Sequence, residues 1–101
     1  MSTLSELEKM SEIRIHTAEL ELDPRHKVTL NVKLVSFDRW QETVERLSSS
    51  PVEILPELFL DPNTGSRIFD SAQAAKFSKF LVEKLVELFI KVNLGAISGD
   101  K

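Results

Sequence analysis

Between residues 13 and 37 polar and apolar side chains alternate, but the alternation changes phase: Ile13 and Ile15 fall at odd positions, Ala18, Leu20 and Leu22 at even ones. A period of two marks a half-buried strand, because successive side chains point to opposite faces. The pattern predicts two strands, 12–22 and 28–37, joined by the segment DPRHK, where Asp23 and Pro24 suit the first two positions of a type I turn. If Leu22 faces Val28, then Leu20 faces Leu30, Ala18 faces Val32, Ile15 meets Val35 and Ile13 meets Phe37. Both strands then change phase at the same level. This predicts a regular hairpin whose base hides one face and whose tip hides the other.

Helical spacing takes over on either side. Thr3 with Glu6 has the form of a capping box, opening a short helix with Leu4 and Leu7 on one edge and an end near Ser11. Asp38 with Gln41 repeats the signature ahead of Trp40, Val44 and Leu47, which share a core-facing edge of a second helix that SSSP should end before Pro51. The segment VEILPELFL, apolar at Val52, Ile54, Leu58 and Leu60, reads as an edge or bulged strand interrupted at Pro56. DPNTG turns the chain into a short strand around Ile68 and Phe69, and Asp70 with Gln73 opens a long helix, about 71–93, that Gly95 can terminate. The expected fold class is α+β, order α-β-β-α-β-β-α: an antiparallel sheet of about four strands (two hairpins) with a long C-terminal helix. It forms a single domain over 1–94, with 95–101 as a flexible tail.

Two surfaces exceed the cover this chain provides. On the long helix Ala74, Phe77, Leu81, Leu85, Leu88 and Val92 form one stripe, and Ala75, Val82, Val86, Phe89 and Ile90 widen it beyond half the circumference. Lys79, Glu83, Glu87 and Lys91 occupy the rest at ion-pair spacing, with Phe80 among them. The helices can cover the base of the hairpin, but no second cover is evident for its tip. The expected partner-binding residues are therefore Ala18, Leu20, Leu22, Val28, Leu30, Val32, Phe80, Val82, Val86, Phe89 and Ile90, the partner being a second copy or another protein.

Composition narrows the chemistry. With 101 residues, 42% hydrophobic and 29% charged, the chain has ordinary globular composition. Its 13 basic and 16 acidic side chains are intermixed for a net charge of −3, so no basic stripe addresses a phosphate backbone and no nucleic acid is expected. Cysteine is absent, which removes disulfides, thiolate nucleophiles and the common structural zinc sites. The start MSTLSELEKM builds no apolar signal core and the apolar stretch 80–97 is broken by Glu83, Lys84, Glu87 and Lys91, so a cytoplasmic protein with no membrane contact is expected. His16 and His26 fall on a strand and in the turn, too far apart for a shared metal site. DPNTGSRIFD has Asp61 and Asn63 in the alternation of a calcium loop, but Gly65 stands fifth and Ala72 twelfth. The glycines at 65, 95 and 99 make no phosphate-cradling loop. No catalytic, cofactor-binding or metal residue is assigned. The reading is a non-catalytic protein–protein interaction module, as a homodimer, small subunit or adaptor. The alternatives are a small acidic chaperone-like dimer and a small-ligand-binding domain or minor enzyme with an apolar pocket between the long helix and the sheet.

Overall fold

In the computed structural model, which describes residues 2–11 and 14–95, the alternating segment forms a hairpin of β1 (Ile15–Asp23) and β2 (His26–Lys33). The turn is tighter than expected. Asp23 Oδ1 accepts from the backbone N–H groups of Arg25 (2.8 Å) and His26 (3.0 Å), and His26 Nδ1 lies 2.9 Å from the same oxygen. These bonds close the loop on Pro24 and Arg25, with an irregularity at Leu22, so Leu20 pairs with Val28, Ala18 with Leu30 and His16 with Val32. The register is thus displaced by two residues from the expected one. A shift of two preserves the faces, because the side-chain period is two. It does end the ladder early: Ile15 stands opposite Lys33, and the expected pair Ile15–Val35 does not form. Phe37 belongs to the next helix and is 96% exposed, while Ile13 lies outside the described residues.

The first two helices form as expected, each capped one or two residues earlier. In α1 (Thr3–Ser11) the Ser2 hydroxyl accepts from the Ser5 N–H at 3.1 Å. In α2 (Phe37–Ser49) Ser36 is the extended N-cap residue, and its hydroxyl donates to Asp38 Oδ1 at 2.6 Å instead of capping a backbone N–H.

The next segment differs in kind. VEILPELFL is mostly helical: α3 runs Pro51–Leu58 and only β3 (Phe59–Leu60) is strand, pairing through Phe59 with Val32 and through Leu60 with Asn31. Pro51 fits the first helical position, where its missing N–H is no loss. Pro56 removes one internal bond, a cost outweighed by burying Ile54, Leu55 and Leu58. Leu55 settles the period, since in a strand it would face away from Ile54.

Around Ile68 there is only an isolated bridge, Leu60 to Arg67, so the described sheet has three strands in the order β1-β2-β3. The expected helix over 71–93 is two helices. The Asp70–Gln73 capping box forms in both directions, at 2.8 and 2.9 Å, but opens only α4 (Ser71–Ala74). The Ser78 hydroxyl then accepts from the Leu81 N–H at 3.1 Å and starts α5 (Lys79–Leu94), which ends at Gly95 with φ 74°. Phe77, edge-on to Phe69 at 5.0 Å, anchors the break, and its spacing from Val82 is that of a hydrophobic staple.

α5 lies across the even-numbered face of the hairpin. Leu85, Leu88, Phe89 and Val92 join Leu20, Leu30, Val32, the α3 side chains and Phe59 in one core, with Trp40 stacked on Phe89 at 5.8 Å. Leu20, Leu30 and Val32 therefore have a cover within their own chain, contrary to expectation, while Val28 at the tip stays exposed. Asn93 fastens the end of α5: its side chain accepts from Val35 N–H (2.8 Å) and donates to the carbonyls of Lys33 and Phe89 (3.1 Å each). Among the described residues no helix is long and apolar enough to cross a membrane.

Two outcomes follow. Phe89→Ala removes the fully buried ring between Trp40 and the sheet and lowers unfolding free energy by about 3–5 kcal/mol, read by urea denaturation. The Asp23 carboxyl is held below its ordinary value, first by the His26 ring and then by the Arg25 N–H, against a smaller opposing effect of desolvation. Its folded value being depressed, its contribution to stability is complete above the unfolded carboxylate value of about 3.9 and is lost as pH falls through the lowered one. In an NMR titration the Asp23 midpoint lies below that of Asp in an unstructured peptide.

Candidate functional site

α5 is apolar over more of its circumference than the sheet needs. With Leu85, Leu88, Phe89 and Val92 turned to the core, Val82, Val86 and Ile90 follow one another at spacing four along a half-buried flank. Across from them α2 presents Val44, Leu47 and Ser48, and Pro51 begins α3. Together they line an open groove of about 340 Å³, with Glu83 and Glu87 on its α5 lip. Leu47 is 4% exposed and forms part of the floor. Glu83 is held 3.9 Å from Lys79, one turn earlier and outside the lining. The groove walls are mostly hydrocarbon, with Ser48, Glu83 and Glu87 the polar members of the lining, so what they can do is exclude water from an apolar guest.

The structure divides the expected partner-binding residues. Leu20, Leu30, Val32 and Phe89 are buried in the chain's own core, at 7, 6, 0 and 0% exposure, and Ala18 and Leu22 are half-buried against it. Val28, at the hairpin tip, and Phe80 each remain 52% exposed, with the Lys84 ammonium 5.4 Å from the Phe80 ring centroid. Val82, Val86 and Ile90 come together in the groove.

Two further features lie outside those expected positions. Every described side chain of α1 is exposed, and Leu4, Leu7 and Met10, at 64, 55 and 64%, form an apolar edge along it. Three-residue spacing on a helix with no cover was the available signal. The second feature is a basic cleft of about 230 Å³ where Arg14, Lys33, Arg39 and Arg46 surround Thr43, Leu34, Val35, Ile54 and Leu58, with Glu57 the single carboxylate. Among the described residues, none of the four cations is in an ion pair. They are scattered along the sequence and meet only because the hairpin base lies beside α2; Arg39 and Arg46, seven apart on one helix face, were the one local hint.

His16 pairs with Val32 in the sheet and His26 sits in the turn beside Asp23, so the two histidines occupy opposite ends of the hairpin. Comparison of the chain with models of protein families, with curated proteins and with solved structures returns no match.

Proposed function

We propose that this chain is a non-catalytic interaction module that forms a homodimer by burying apolar surface in the groove between α2 and α5. The observation that supports this is the second apolar flank of α5: its inner flank is packed on the hairpin, yet Val82, Val86 and Ile90 continue an open hydrocarbon wall facing Val44 and Pro51. From Val82 to Ile90 the wall is about 12 Å long, room for two turns of a guest helix.

Complete burial of an aliphatic side chain contributes about 1.5–3 kcal/mol, and these are already half covered, so each adds about 1 kcal/mol. A single groove therefore contributes only a few kcal/mol against an association cost of about 4–15 kcal/mol. A two-fold dimer uses the groove twice in one complex, which favours a second copy over a single-site guest. Val28 and Phe80 extend the available apolar surface at the hairpin tip and the start of α5.

A second reading rests on the basic cleft. Four cations that form no ion pair among the described residues, around one concavity with a single carboxylate, Glu57, in a chain of net charge −3, suit a small multivalent anion such as a phosphate ester. The space assigned to an apolar ligand in the sequence-based alternative, between α5 and the sheet, is instead occupied by Leu85, Leu88, Phe89 and Val92.

Light scattering after gel filtration, down to low micromolar concentration, is expected to give twice the chain mass of 11.5 kDa. Val86→Glu is expected to give one chain mass with an unchanged circular dichroism spectrum. A wild-type chain that stays single at every concentration overturns the homodimer. For the second reading, inorganic phosphate should shift the amide resonances of residues around Arg39 and Arg46, and R39A/R46A should weaken that binding about tenfold or more; equal shifts in the double variant defeat it.

A further inference from the structure

Resting on the reading of the α2–α5 groove as a docking surface, we infer that its occupant is α1 of a second copy of this chain, exchanged reciprocally. The nine residues of α1 fall short of the roughly 12–15 that an isolated helix needs to be stable in water. All its described side chains are exposed, so this helix calls for a cover that the other described residues do not supply.

Dimensions and chemistry match the groove. α1 is about 14 Å long against about 12 Å for the Val82–Ile90 wall. At 100° per residue Leu4, Leu7 and Met10 span an arc of about 120°, with Ser5 and Lys9 on the opposite side. An aliphatic edge ending in the adaptable side chain of Met10 fits walls of valine, leucine, isoleucine and proline. Glu6 and Glu8 flank the arc and would stand at the solvated lips, one of them near Glu83 and Glu87. That repulsion acts between exposed charges and is screened over about 8–10 Å at moderate salt, so docking tightens as salt is added.

Geometry favours exchange over docking within one chain. Arg14, three residues after Ser11, lines the basic cleft with Arg39, Thr43 and Arg46, whereas the groove takes Val44, Leu47 and Ser48. These two sets lie on either side of the buried edge of α2. Three residues of chain reach at most about 11 Å, no more than the diameter of one helix with its side chains, and so short a tether favours the groove of a neighbouring copy over a path around α2 to its own. Reciprocal exchange fills both grooves and closes the assembly at two copies.

The absence of cysteine makes disulfide trapping clean. A chain carrying Leu7→Cys is mixed with one carrying Val86→Cys and oxidised. The expected product is a covalent pair joined between positions 7 and 86, identified by mass spectrometry of the linked peptides and exceeding what either variant forms alone. Deleting residues 2–11 should give a folded single chain, and Leu7→Asp should weaken association about tenfold or more. If the deleted chain still pairs and Val86→Glu still separates it, the groove is a docking surface with a different occupant and the exchange is overturned while the proposed function stands. An internal 7–86 disulfide in a single chain carrying both cysteines overturns exchange in favour of docking within the chain. A wild-type chain that never pairs defeats exchange and homodimer together.

Discussion

A three-stranded sheet has two faces, and this chain has helices enough to bury only one of them well. The whole arrangement depends on α5 lying across the even-numbered face of the hairpin, where Leu85, Leu88, Phe89 and Val92 meet Leu20, Leu30 and Val32. α3 closes the side of that core with Ile54, Leu55 and Leu58, and the stack of Trp40 on Phe89 ties α2 to it. Asn93 fixes the end of α5 to the exit of β2, so the helix cannot roll to present another flank without breaking hydrogen bonds to Lys33 and Val35. Once α5 is fixed in that orientation, Val82, Val86 and Ile90 are placed on its other side, and the groove with α2 follows.

How far the residues foretold this depends on whether the deciding contact was local. The hairpin faces were legible because alternation survives any even shift of register; the register itself was set by one carboxylate, Asp23, that tightens the turn. VEILPELFL was ambiguous at Ile54 and Leu58, whose spacing of four satisfies both periods, and Leu55 was the residue to weigh. The break before α5 was signalled by Ser78 and Phe77 but hidden by apolar residues that keep helical spacing through it. The breadth of the apolar arc said only that one sheet face is too narrow to cover it. It could not say which flank met the sheet, and so Leu20, Leu30 and Val32 were assigned outward although α5 covers them. The basic cleft was illegible, since its residues converge only after β1, β2 and α2 have packed.

The two candidate surfaces make different physical demands. The basic cleft would act through charge at exposed side chains, where each contact is worth little singly and is weakened by salt. The groove would act through hydrocarbon, indifferent to salt except at its acidic lip, and would gain from every methyl group covered. A chain with both could respond to a small anion and to a second polypeptide independently, because α2 separates the two sites: Arg39 and Arg46 on one side of its buried edge, Val44 and Ser48 on the other.

Under the proposed exchange, ordering α1 and docking it are one event. Fixing backbone costs about 1–2 kcal/mol per residue, so ordering a nine-residue segment that is not already helical would cost more than one groove returns. The exchange therefore depends on how much helix α1 holds before it docks. The Ser2 hydroxyl capping Ser5, Glu6 in the first turn and Lys9 in the last each favour that helix by a fraction of a kcal/mol to about 1 kcal/mol. Ser2 and Lys9 would face away from the groove and Glu6 would stand only at its lip, yet all three would govern its occupancy through the population of the guest. Affinity in such a system is set as much by the solvent-facing side of α1 as by Leu4, Leu7 and Met10.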